Sequence, residues 1–76
     1  MTGAPVSLTL TACDGASVRV LSRSGHRSLA EAGKAFDEFL RSGRDFAAEG
    51  YSPLEWGVFL TIRSRSGRIV RRMQVN

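Results

Sequence analysis

The residues with the most capacity for chemistry are arginines. Arg63, Arg65, Arg68, Arg71 and Arg72 all fall within residues 56–76, where no Asp or Glu accompanies them. A guanidinium presents a planar fork of N–H donors that matches phosphate or carboxylate oxygens two at a time. Spaced along strands, such groups would line a surface for a nucleic-acid backbone or an acidic protein. The rest of the chain sharpens the contrast. Residues 1–27 set Arg19, Arg23 and Arg27 against Asp14, and residues 28–55 set six acids against Lys34, Arg41 and Arg44, so the three segments carry +2, −3 and +5. The total of +4 therefore hides an acidic middle and a basic end. Lys34 is the one lysine among eleven basic residues, a bias that anion contact explains and that a GC-rich coding sequence would also produce.

Other chemistries find little support. Cys13 and His26 are the only candidate nucleophile and base, and a dyad needs hydrogen-bond reach. A hairpin between them puts the two at opposite ends, so a structural turn cysteine and an exposed loop histidine are expected instead. A transition-metal site takes three or four Cys, His or carboxylate ligands. With one Cys and one His it would fall to Glu31, Asp37 and Glu38, which read as the solvated side of a helix. Neither a G-x-x-x-x-G-K-[ST] loop nor a G-x-G-x-x-G fingerprint is present. The expectation is a non-enzymatic protein without metal or cofactor.

The elements that would position the arginines are organised around residues 28–43. Ser28 and Glu31 make a capping box; Leu29, Ala32, Phe36, Phe39 and Leu40 form an apolar stripe; Gly43 supplies a helix stop. Gly33 inside this helix costs roughly 1 kcal/mol relative to alanine, which predicts close approach to a sheet. Val6–Ala12 alternates as a half-buried strand. A three-residue turn, Cys13-Asp14-Gly15, would pair Leu10 with Val18 and Leu8 with Val20 and set Thr9 beside Arg19. The second strand is expected to end near Arg23, with Ser24–Arg27 a loop. After Gly43 comes a long connection tied down by Phe46, Ala47, Ala48 and Tyr51, with one turn at Ser52-Pro53-Leu54-Glu55.

Trp56, Val58, Leu60 and Ile62 form the inner side of a third strand, with Phe59, Thr61, Arg63 and Arg65 opposite. A two-residue turn at Ser66-Gly67 sets Ser64 against Ile69, Leu60 against Met73, Val58 against Val75 and, awkwardly, Ile62 against Arg71. The order is β-β-α-β-β, and the predicted fold is a single α+β domain over residues 1–76, flexible at 1–4: a four-stranded antiparallel sheet, order 2-1-3-4, with one helix on one face. Arg-Ser-Gly occurs at Arg23, Arg41 and Arg65, read as turn chemistry rather than a repeat. A lone cysteine without a long apolar run predicts a soluble, cytoplasmic protein.

On this register the outer sheet face displays Thr9, Thr11, Arg19, Phe59, Thr61, Arg63, Val70 and Arg72, with Arg65 and Arg68 at the turn. The expected partner-binding or nucleic-acid-binding residues are therefore Arg19, Phe59, Arg63, Arg65, Arg68, Arg71 and Arg72. Tyr51 is a further contact candidate, and Trp56 is assigned to the core. The format, one helix and one sheet in a small chain, resembles small phage-encoded inhibitors, including anti-CRISPR proteins; this likeness transfers no site. It implies a non-enzymatic protein-binding module or inhibitor docking on a larger nucleic-acid-handling complex. The alternative is direct nucleic-acid binding through the arginines. No membrane partner is expected, and the chain would be a monomer or a homodimer through its edge strands.

Overall fold

The computed structural model describes residues 5–76, so the flexibility expected of residues 1–4 lies outside the described residues. Five elements follow in order: β1 (Val6–Cys13), β2 (Val18–His26), α1 (Leu29–Arg41), β3 (Gly57–Arg63) and β4 (Ile69–Gln74). The strands form one sheet in the order β2-β1-β3-β4, antiparallel at every junction, with the helix laid on one face. This is the predicted topology. No described helix is long and apolar enough to cross a membrane.

The helix starts where Ser28 Oγ accepts the Glu31 N–H at 3.1 Å. Only half of the capping box forms, because the Glu31 carboxylate turns to His26 Nδ1, 3.4 Å away. Gly43, at φ +66°, ends the element. Ala32 and Phe36 are buried, whereas Leu29 and Leu40 stay largely exposed, so the working stripe is narrower than its spacing predicts. Phe36 packs with Val6, Leu8, Leu10, Ala12, Val58, Leu60 and Ile62 to make the core. Full burial of such an aromatic contributes about 2–3 kcal/mol. The close approach expected at Gly33 is not found: a Cβ added there would meet nothing within 4 Å.

The first hairpin differs from the predicted register. Asp14 Oδ1 accepts the N–H groups of Ala16 and Ser17, each at 2.9 Å, and Gly15 sits at φ +92°. This chemistry makes a four-residue loop, Asp14–Ser17, closed by the pair Cys13 and Val18. Those N–H groups, that of Ser17 foremost, also hold the Asp14 carboxyl below the usual aspartate range. Val18 and Val20 consequently face out and are exposed, instead of pairing with Leu10 and Leu8. A bulge at Leu21 then lets that side chain pack on the core and reverses the alternation beyond it. The strand continues to His26 rather than stopping near Arg23, so the first Arg-Ser-Gly lies inside a strand and not at a turn.

The long connection is held by side chains. Phe46 is buried and stacks on Phe39 with centroids 6.1 Å apart. Arg44 makes a two-pronged contact with Glu49, at 2.7 and 2.6 Å, which holds the Glu49 carboxyl below its usual range. Ala47 and Ala48 are exposed and tie nothing down. The expected single turn forms at Ser52, whose carbonyl accepts the N–H groups of Glu55 and Trp56. In the second hairpin, Leu60 pairs with Met73 and Ile62 with Arg71, as predicted, and the Val75 N–H donates to the Val58 carbonyl. Ser64 does not pair with Ile69; Arg63 does, because Val70 bulges.

Candidate nucleic-acid interface

Strand registers assign every sheet residue to a face, since neighbours across the sheet point the same way and neighbours along a strand alternate. The inner face carries Leu8, Leu10, Ala12, Val58, Leu60 and Ile62 under the helix. On the outer face the pairings define rows running from β2 to β4. One row is Arg23, Thr9, Thr61, Arg72; the next, toward the β3–β4 turn, is Gly25, Ser7, Arg63, Ile69. In the other direction lie Val20, Thr11, Phe59 and Gln74. The outer face thus divides into a basic, hydroxyl-bearing half and a neutral half that includes Val18 and Val20.

No Asp or Glu occurs in any strand. The acids sit in the β1–β2 loop, on the helix and in the long connection. Among the described residues, the ion-paired basic side chains are Arg44, Arg71 and, if protonated, His26. Arg23, Arg63 and Arg72 therefore carry uncompensated charge over a shared patch. Arg72 lies on Phe59, its guanidinium carbon 4.2 Å from the ring centroid. Thr9 and Thr61, between the flanking arginines, are 9% and 6% exposed. The Thr9 Oγ1 is buried and has no hydrogen-bond partner among the described residues, although buried hydroxyls are nearly always partnered.

Of the residues expected to bind, Phe59, Arg63 and Arg72 share this face, and Arg65 and Arg68 border it at the β3–β4 turn. Arg65 Nη2 donates to the Arg27 carbonyl at 2.7 Å, and Arg63 Nη1 to the Gly67 carbonyl at 3.0 Å. No known protein family, curated protein or solved structure matches this chain. Its function has to be read from this geometry.

Two face assignments, those of Arg19 and Val70, are corrected. Arg19 pairs with Ala12 and is on the inner face, where it donates to Tyr51 Oη at 3.3 Å and lies 5.7 Å from the Trp56 ring centre. Arg71 is inner, as its predicted pairing with Ile62 requires, 4.0 Å from the Phe36 centroid and 3.1 Å from Asp37. Tyr51 is half-buried, edge-on to Trp56 at 5.2 Å, and packs against the core beyond the helix end. Val70, at a bulge, leaves the regular face. The residue missed was Arg23, which the bulge at Leu21 turns outward. A signal existed: every second residue of a strand points to the same side, so Arg23 shares the side predicted for Arg19, but the strand is expected to end there.

Cys13 and His26 are at opposite ends of the hairpin, seven residues of β1 apart, which is about 24 Å at strand rise. Cys13 is half-buried and donates to the Gly57 carbonyl at 3.6 Å. His26 is not an exposed loop residue: its side chain is 14% exposed, with Nε2 2.8 Å from Ser24 Oγ.

Proposed function

We propose that this chain is a non-enzymatic binding module that lays the sugar-phosphate backbone of a single-stranded nucleic acid, alone or within a larger nucleic-acid-handling complex, across its outer sheet face. The observation that carries the reading is the row Arg23–Thr9–Thr61–Arg72 with Arg63 beside it, on a sheet without a carboxylate. Three strand spacings of about 4.8 Å spread that row over roughly 14 Å. The guanidinium groups supply phosphate contacts that depend little on sequence, and the small, buried threonines between them keep the surface flat. The Arg72 guanidinium, stacked on Phe59, offers its other plane to a base, as aromatic and guanidinium platforms do in single-strand binding. Among the described residues the outer face has this one platform, so stacking adds to an electrostatic grip rather than replacing it.

Amide resonances followed on addition of a short oligonucleotide test this. Shifts at Thr9, Thr11, Phe59, Thr61 and Arg72 with little change along Leu29–Arg41 are expected. Changes centred on the helix, or none at low salt, defeat the proposal.

A second reading, docking on a protein partner, is favoured by different residues. Val18 and Val20 are 73% and 61% exposed on the neutral half of the face, and Leu54 is 94% exposed in the long connection. Exposed apolar side chains beside arginine suit a protein interface. Under this reading, changing Val18 and Val20 to serine abolishes co-purification with a partner, and Arg72→Ala weakens it less.

A further inference from the structure

The basic half of the outer face ends in a groove. Its volume is about 520 Å³, and its lining includes Ser7, Arg23, Gly25, Arg63, Arg65 and Gly67. The groove's floor is low at Ser7, which stands between Gly25 and Arg63, and the Pro5 ring lies against Gly25 at its edge. Arg23 rises from the neighbouring row, and Arg63 and Arg65 rise on the side of the β3–β4 turn. Two Arg-Ser-Gly segments, distant in sequence, therefore contribute one arginine each to the same concavity.

Three arginines line this groove, and no carboxylate is among its described lining residues. Arg63 and Arg65 each use one nitrogen on a backbone carbonyl, which fixes the head group and leaves other N–H donors to a ligand. A dianion with several terminal oxygens suits this arrangement better than a monoanion. A phosphate monoester carries close to two negative charges and three strong acceptor oxygens at neutral pH, and each interior diester carries one charge. The volume is within the range of small-ligand sites, enough for a phosphate with its sugar.

We infer that this groove holds the terminal phosphate monoester of a nucleic-acid strand whose backbone lies along the adjoining arginine row. The inference rests on the proposed backbone-binding reading and adds end recognition to it. The turn at Ser64–Arg68 bounds the groove, and the row Arg23–Thr9–Thr61–Arg72 adjoins it. A chain held on that row reaches its end there.

The test compares short single strands bearing a 5′-phosphate, a 3′-phosphate or hydroxyls at both ends, with fluorescence anisotropy as the readout. One phosphorylated end is expected to bind roughly tenfold tighter than the hydroxyl form, in line with added charge-assisted contacts. Arg65→Ala and Ser7→Leu remove that preference, lowering the affinity for a phosphorylated end far more than for the hydroxyl form, whereas Arg72→Ala weakens all three strands alike. Arg65 is exposed and leaves the core intact, so the test stands even where Ser7→Leu perturbs folding. Equal affinities for all three strands overturn end recognition but leave backbone binding intact. Tighter binding of a phosphoserine peptide than of the phosphorylated strand overturns the nucleic-acid assignment of the groove. If no strand binds, the underlying reading fails.

Discussion

Arg71 and Arg72 are neighbours in β4, yet the pleat sends them to opposite faces with different surroundings. Arg71 lies over the Phe36 ring, 4.0 Å from its centroid, and meets Asp37 at 3.1 Å. Arg72 lies over Phe59 at 4.2 Å with no carboxylate partner among the described residues. On the inner face, Arg71 and Arg19 cover aromatic rings at the margins of the helix and connection, and their stems extend the apolar layer. On the outer face, Arg23, Arg63 and Arg72 keep their charge available. The awkward Ile62–Arg71 pairing is thereby explained: the arginine roofs the core instead of entering it. Counting arginines is thus a poor guide to a binding surface; their faces and partners decide.

The largest effect should come from removing outer-face charge. Changing Arg63 and Arg72 together to alanine should weaken oligonucleotide binding by about ten- to a hundredfold, with the fold retained and unfolding changed by no more than about 1 kcal/mol, the loss expected of an exposed cation–π contact. Loss of fold in the double variant would erase the contrast between faces. Arg71→Ala should do the opposite, destabilising by about 1–2 kcal/mol through lost cation–π contact and packing, and denaturant unfolding measures it. A stability unchanged by that substitution would mean the inner-face contacts contribute little.

Gly33→Ala sharpens the comparison from the helix side. With open space around the added methyl, it should stabilise by up to about 1 kcal/mol and leave binding untouched. The smallest effect concerns acid. Folded Asp14 and Glu49 titrate below their usual ranges, Asp14 through the Ser17 and Ala16 N–H groups and Glu49 through Arg44. Each contributes stability that is present above its unfolded pKa and lost as pH falls through its lower folded value. Stability should therefore decline modestly below about pH 4, and Asp14→Asn should flatten part of that decline. Both carboxylates are on the surface, so a steep acid transition would point to another group.

Much of the fold was legible because local signals agreed. The Ser28 cap, the Phe36 stripe and the Gly43 stop define the helix, and two alternating strand pairs on either side leave few topologies. The face of β2 was not legible. It depends on one bulge at Leu21 and on how Asp14 closes its loop, and a one-residue slip moves every side chain across the sheet. For that reason the predicted register puts Arg19 on the wrong face, whereas Arg23 drops out because the strand is expected to end there and instead runs to His26. Strand β3 has no bulge, and Phe59, Thr61 and Arg63 stand where their alternation puts them. The groove was invisible in one dimension, since Ser7, Arg23 and Arg65 meet only through the sheet.

The most direct test of the account is the salt dependence of oligonucleotide binding, measured for the unaltered chain and for the Arg63→Ala/Arg72→Ala variant. Three arginines on phosphates predict that the logarithm of the binding constant falls against the logarithm of salt with a slope of about −2 for a single strand, and that the variant flattens it by about 1.4. Equal slopes for the two proteins, or no binding at low salt, would contradict an outer face built to hold phosphate.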